Sequence, residues 1–430
     1  MIRIDRCGSS VAKKFNSRPA FPQEAEDAAS AVLGDIRRRG DAAVADAVAK
    51  FEGAKLAPRS FRIVLPAVRE LEKSVPRATV RAVKSAHAGV LAFAKASLRG
   101  EWSAKTRFGG RSGEFFTPMR RVGVYVPGGT APLASTAIHT VTLARAAGVP
   151  EIVACTPAGR TGEVNPVLLY ALALAGATEI YRVGGIQAIG MMAYGTKTCR
   201  KVCMIAGPGN AYVTAAKRQV FGHVAIDQIA GPSEIAVLAD DTAKPAWIAA
   251  DLLSQAEHGS GWEKSLCVCT SAALAEEVRR EVLRQKETLS RKEMVDRVIS
   301  RGGILVLVAK DLREGLAAVN DFAPEHFEIM TRRPFDALKS VRFAGAVFAG
   351  PWTPESAGDF TAGPSHVLPT GGAACMFGGL TPDHFRLRHS FVGFTKEDLE
   401  ANRSAIEEFA RIEGLDAHGR AATIRFTRGK

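Results

Sequence analysis

The sequence predicts an α/β fold: two Rossmann-like parallel-sheet modules with additional N- and C-terminal helical segments. Three observations carry this reading. Apolar runs of strand length end in glycine turns and are followed by stretches of helical composition, the alternation of βαβ units. These units fall into two sets along the chain, which suggests two modules. At 430 residues the chain exceeds one typical domain and can bury a large core.

The elements follow in order. Residues 24–51 and 66–99 are rich in Ala, Arg and Glu and read as helices. From residue 121 the pattern becomes strand, glycine turn, helix. VGVYV (122–126) precedes PGG, EIVACT (151–156) follows, EIYRVGG (179–185) leads into QAIGMMAYG, and KVCMIAGPGN (201–210) leads into AYVTAAKRQV. A second set comprises EIAVLAD (234–240), SLCVCTS (265–271), GGILVLV (302–308) and GAVFAG (345–350). No G-x-G-x-x-G follows a strand, and no acid sits where it would hold a ribose. The motif alone therefore leaves nucleotide binding and plain connecting turns both open.

Composition narrows the class. The balance of 57 Lys+Arg against 44 Asp+Glu gives a net charge of +13, but the basic residues are scattered and lack interleaved aromatics, so nucleic acid is not expected as a partner. The first residues, MIRIDRCGSS, lack an apolar export core, and no run of about 18 apolar residues occurs. A cytoplasmic protein with no membrane partner is expected. The seven cysteines form no CxxC pair, and Cys267 with Cys269 reads as the same-face pair of a buried strand. Reduced thiols fit a reducing compartment.

Four segments carry candidate chemistry. In Gly350 to Gly372, Asp359 and His366 lie among Gly, Pro, Ser and Thr, residues that favour turns over a packed helix. DLLSQAEHG (251–259) reads as a helix stopped by Gly259, with Gln255 and His258 three apart on one face. Pro324 restricts the backbone just before Glu325 and His326. The last segment is EGLDAH (413–418). Singly, each is ordinary, because a histidine near a helix end more often serves packing or surface than a metal. Together they converge: of nine histidines, His258, His326, His366 and His418 all sit beside acids in turn-rich or helix-ending contexts.

With RVGVYVPGG (121–129), YRVGGIQAI (181–189), GPGNAYVTAAKRQV (207–220), AIDQIAGPSEI (225–235), NDFAPEHF (320–327), WTPESAGDF (352–360) and SHVLPTGG (365–372), these segments resemble the histidinol dehydrogenase family, in its order, from about residue 18 to 430. The resemblance implies a zinc-dependent, NAD-linked enzyme that oxidises L-histidinol through L-histidinaldehyde to L-histidine with two NAD+. It implies one Zn2+ per subunit on Gln255, His258, Asp359 and His418, a donor set of two imidazoles and two oxygens that suits zinc. Tyr125, Gln187 and Asn210 fall on cofactor positions. Gly128, Gly129, Gly184, Gly185, Gly207 and Gly209 would let the backbone approach NAD. His326 would take the alcohol proton, and Glu325 would activate the water that attacks the aldehyde, since no Cys lies in the matched acid and His segments to form a thioester. Substrate contacts would be Ser233, Gln255, His258, His326, Asp359, His366, Glu413 and His418. His366 and Glu413 would reach across the interface of a homodimer.

The same resemblance divides the chain into an N-terminal arm (1–19), a first module carrying the zinc and catalytic site (20–124 plus 235–380), a second, NAD-binding module (125–234) and a C-terminal helical segment (381–430). Ser365 stands where the family usually has Asn, Ala94 where it usually has His, and 374–395 diverges. An alternative substrate is therefore another small polar alcohol, such as the sulfonated propanediol that some relatives oxidise. A catalytically silent zinc-binding paralogue would be expected to lack Glu325 or His326; this chain keeps both.

Overall fold

The computed structural model describes residues 2–18, 21–128 and 132–427. The chain divides into a larger unit, Met1–Ser97 with Arg120–Phe385, and a smaller one, Leu98–Met119 with Arg386–Lys430.

The larger unit holds two six-stranded sheets. In the first, β10 (Glu234–Ala239), β11 (Lys264–Cys269), β12 (Ile304–Val308), β13 (His326–Met330) and β14 (Ala346–Ala349) are joined by an edge strand, β1 (Arg3–Arg6). Their order is β1-β12-β11-β10-β13-β14, with every pairing parallel. In the second, β5 (Arg121–Tyr125), β6 (Glu151–Cys155), β7 (Glu179–Tyr181), β8 (Met204–Ala206) and β9 (Ala225–Ile226) run parallel, and β2 (Arg62–Ile63) adds antiparallel to β7. The order is β2-β7-β6-β5-β8-β9. The central strands are apolar without alternation because helices cover both faces; β5 and β10 are buried at every residue. Cys267 and Cys269 are both buried in β11.

Local chemistry sets the helix boundaries. The expected helix 24–51 is two helices, Gln23–Arg39 and Asp41–Phe51, broken at Gly40, whose φ of 59° favours glycine. The expected helix 66–99 is Val68–Lys73 and Arg77–Ser97, separated around Pro76. Ala25, Ala29, Leu33, Ile36, Val44 and Val48 share a core with Tyr125, Ile189 and Val213. Residues 23–51 thus cover the 121–226 sheet, not the 234–349 sheet assigned to them from sequence. The expected arm 1–19 also contributes β1. An amphipathic helix specifies that it needs a partner surface, but not which one.

The smaller unit is an antiparallel sheet with two helices, where the sequence suggested a helical segment alone. β15 (Arg386–Gly393) pairs with β4 (Arg111–Pro118), which pairs with β3 (Trp102–Lys105). The helices are Lys396–Glu413 and Asp416–Thr423. Asp398 closes a capping box with Thr395 and accepts from Phe108 N at 3.1 Å, Gly110 N at 2.9 Å and Thr106 Oγ1 at 2.8 Å. One carboxylate so ties the long helix to the β3–β4 hairpin. Among the described residues, no helix is long and apolar enough to cross a membrane.

Candidate active site

The site grows from the N-terminal ends of β10 and β13. These strands pair in parallel with Ile235 opposite His326, which sets Glu234 beside the Glu325-His326 pair. Glu325 Oε2 accepts the Glu234 backbone N–H at 3.0 Å, and His326 Nδ1 lies 3.0 Å from the Glu234 carbonyl. A carbonyl can only accept, so Nδ1 carries a proton, and Nε2 is the nitrogen turned toward the neighbouring acids. It faces Asp359 Oδ1 at 3.3 Å. The pair thus opens a buried central strand, which the sequence reading did not foresee. Its lead-in is strained: Ala323, after the helix Leu312–Phe322, has φ 49°, a left-handed conformation for a residue with a Cβ.

The helix after β10 returns to the same edge. Pro245–Ala256 ends there, placing Gln255 in its last turn and His258 just beyond, with Gly259 (φ 102°) after it. His258 Nδ1 donates to the Gln255 carbonyl at 3.2 Å, leaving Nε2 as a lone-pair donor for a metal. Gln255 is fully buried, and neither of its amide atoms completes a well-formed hydrogen bond, although the Glu355 carboxyl lies beside it. Buried amides are nearly always paired. An orphaned Gln255 beside a lone-pair imidazole and a carboxylate fits a metal ligand set.

Asp359 departs from expectation in its local structure. The segment that reads as turns contains a short helix, Glu355–Phe360, started by Pro354, and Asp359 lies in its last turn. Ligand-capable atoms of His326, Glu355 and Asp359 all lie within 4.8 Å of one another, so the helix offers Glu355 as a further oxygen donor. Glu355 precedes Asp359 by four residues, a same-face spacing that becomes informative only once the segment is known to be helical.

Electrostatics follow from this crowding. Burial pushes the Glu325 carboxyl up to about 8, overcoming the opposite pull of His326. Burial alone would depress His326, but the carboxylates of Glu325 and Asp359 outweigh it and push it up to about 10. Asp359 is held well below the carboxylate range: burial raises it, yet hydrogen bonding to His326 and the fields of His326, His366 and His258 prevail. A cation ligated by Asp359 would offset one of the charges that keep His326 protonated and take Asp359 from Nε2, favouring its action as a base. Near Gln255, burial also pushes Asp251 up to about 6 and raises Glu328 well above the usual carboxylate range, and Glu328 Oε1 accepts the Glu355 N–H at 2.7 Å. These acids, and Glu234 in its 2.6 Å ion pair with Arg18, carry no sequence signal.

His366 lies beside Asp359 of the same chain. Its Nδ1 donates to the Asp359 carbonyl at 3.1 Å, and Nε2 lies 3.1 Å from Thr136 Oγ1. Ser233 immediately precedes β10 at the same edge. Glu413 and His418 belong to the smaller unit, where they line a cavity of about 240 Å³ with Phe409 and Leu415.

The candidate cofactor residues gather at the C-terminal ends of the second sheet's strands, near β5 and β8, where strand order reverses. Tyr125 ends β5, and its hydroxyl accepts the Gly185 N–H at 3.2 Å. Gln187 Nε2 donates to Glu52 Oε1 at 2.8 Å, and the same oxygen accepts Gly184 N at 2.9 Å. Glu52 thus joins the candidate cofactor residues without any sequence signal. Asn210 caps the helix Ala211–Val220, its Oδ1 accepting from Tyr212 and Val213 at 3.1 Å. Gly207 has a packing reason as well: a Cβ there would lie 2.1 Å from the Tyr125 carbonyl oxygen. Gly129 lies outside the described residues.

The chain is similar to known proteins over nearly its whole length. A sequence model of histidinol dehydrogenase matches residues 16–426. The chain is 41% identical over 429 residues to a histidinol dehydrogenase of Geobacillus kaustophilus, covering 100% of each. It is 41% identical over 418 residues to that of Bacillus licheniformis, covering 97% of each. The crystal structure of histidinol dehydrogenase from Elizabethkingia anophelis is similar with a TM-score of 0.93 at 33% identity, over 99% of this chain and 98% of that one. By its sequence over nearly its whole length, and by its fold, the chain belongs to the histidinol dehydrogenase family of oxidoreductases.

Proposed function

We propose that the chain oxidises L-histidinol through L-histidinaldehyde to L-histidine with two NAD+ and one Zn2+ per subunit. The observation that carries the reading is the Glu325-His326 pair, anchored on the Glu234 backbone and facing Asp359 beside the orphaned amide of Gln255. When bound, zinc supplies a Lewis acid that holds the substrate, and NAD+ supplies a hydride acceptor for each oxidation.

The chain's own residues do the rest. His326, its Nδ1–H fixed on the Glu234 carbonyl, takes the alcohol proton at Nε2 as hydride leaves the carbinol carbon. Glu325 removes a proton from the water that adds to the aldehyde, and the hydrate then loses a second hydride and proton to give the acid. Burial of both groups excludes competing water and keeps Glu325 basic enough to act. Gln255, His258 and Asp359 would hold zinc, with His418 as the fourth ligand in the family pattern. Ser233, His366 and Glu413 would orient the substrate. In this reading Glu413 comes from the second subunit of a homodimer. The seven free cysteines suit a cytoplasmic enzyme. The relatives' names favour histidinol over a sulfonated propanediol.

The test is NAD+ reduction by zinc-loaded protein with L-histidinol beside the sulfonated propanediol. About two NADH per histidinol consumed supports the reading. Turnover of the sulfonate alone overturns it.

A further inference from the structure

The helix Ala134–Ala146 follows β5 of the candidate cofactor sheet, and it carries a histidine that the reaction scheme does not use. His139 is fully buried. Its ring stacks on His366 with centroids 4.5 Å apart and planes 14° from parallel. Its Nδ1 lies 3.3 Å from the His366 backbone N–H, and its Nε2 lies 3.4 Å from the Phe360 carbonyl. Its own carbonyl accepts from Ser365 Oγ at 2.9 Å.

These partners fix the protons. The His366 amide can only donate, so His139 Nδ1 is bare; the Phe360 carbonyl can only accept, so Nε2 carries the hydrogen. The neutral ring therefore clamps both ends of the segment between Phe360 and His366. On His366 the Asp359 carbonyl requires Nδ1–H, so Nε2 keeps its one lone pair, which Thr136 Oγ1–H from the same helix holds in place until a substrate donor displaces it. A single helix thereby fixes the position, ring plane and tautomer of His366.

We infer that His139, with Thr136, is a positioning residue that makes His366 present Nε2 as an acceptor for a substrate N–H or O–H, linking the cofactor sheet to the substrate site. The inference rests on the proposed function for His366's contact with substrate, but the geometry of the clamp stands apart from it.

His139→Phe keeps the stacked ring and removes both nitrogens, leaving a buried amide and a carbonyl unpaired. His139→Asn returns an acceptor near Nδ1. In the zinc-loaded enzyme, His139→Phe is expected to raise KM for L-histidinol about tenfold, the size of one lost buried hydrogen bond, with a smaller change in kcat and in KM for NAD+. His139→Asn should lie between it and wild type. Equal effects of His139→Phe and His139→Asn, or a change in KM for NAD+ and thermal midpoint without one in KM for histidinol, would reduce His139 to a packing residue and overturn the inference. A second measurement needs no turnover. The 15N signals of the His366 ring, identified by their loss in His366→Gln protein, should show the neutral Nδ1–H tautomer in wild type and averaged tautomers in His139→Phe. An Nε2–H tautomer in wild type would overturn the clamp, whereas failure of wild type to oxidise histidinol would overturn only the function reading.

Discussion

A buried amide without good partners costs a folded chain about 1–3 kcal/mol, and Gln255 bears that cost at the centre of the site. Replacing it by leucine, similar in shape and apolar, should make the metal-free protein more stable while abolishing tight zinc retention. Differential scanning fluorimetry of metal-stripped protein and metal analysis after dialysis check the two halves separately. A drop in metal-free stability would mean that the amide is satisfied after all. Glu325 and His326 share one backbone anchor but differ in task, so their variants should diverge. Glu325→Gln should leave the first oxidation nearly intact and slow the second at least about tenfold, because only the second needs an activated water. The rate of the first NADH per enzyme, followed by trapping of the aldehyde, distinguishes this from an equal loss of both steps.

At the scale of elements, the site depends on a close fit between the helix Glu355–Phe360 and β14. A Cβ on Gly358 would lie 2.4 Å from Phe348 Cε1, so Gly358→Ala must push the ring or the helix aside. We expect a loss of about 1–3 kcal/mol in stability, typical of overpacking, together with weaker zinc binding through displaced Asp359. Chemical denaturation and metal titration measure both. Unchanged metal affinity would show that Asp359 does not depend on this packing. The segments around Gln255 and His258 were legible in sequence because a helix stop and same-face spacing are local features. β13 was not, because HFEIM after Pro324 gives no periodic signal in five residues, and its identity as a strand comes from pairing with β10 and β14. β15 was missed for a related reason: it is largely exposed, so burial gave it little apolar patterning.

Across the whole molecule, stability at low pH draws on buried ion pairs far from the chemistry. Arg121 at the start of β5 binds Glu179 through two hydrogen bonds of 2.9 and 3.0 Å and also reaches Glu151. Hydrogen bonding to Arg121 holds Glu179 down, against burial, at about 2 compared with an ordinary 4.5. A depressed carboxyl contributes stability that is fully present above its unfolded value and fades as pH falls toward the folded one. Wild type should therefore exceed Glu179→Gln in stability by a constant margin above about pH 5, and the margin should vanish on approach to about pH 2. Urea unfolding across that range follows it; a margin independent of pH would assign the difference to packing alone. Assembly is also a whole-molecule property. Glu413→Gln should chiefly weaken histidinol binding, and mixing it with an inactive Glu325→Gln, His326→Gln partner should restore part of the activity only if Glu413 acts across subunits.

The sequence by itself determined the alternation of strands and helices, the glycine turns, and the residue types at the candidate metal and catalytic positions. Each of these depends on neighbours within a few residues, through backbone freedom, hydrophobic period or side-chain chemistry. Only the tertiary structure decided that helices 23–51 cover the candidate cofactor sheet, that His366 meets Asp359 within one chain, and that Glu52, Glu234, Glu355 and His139 lie against the candidate site residues. Those residues sit far apart along the chain, and parallel pairing with return helices brings them together. Burial then gives their ordinary side chains protonation states that no local pattern could announce.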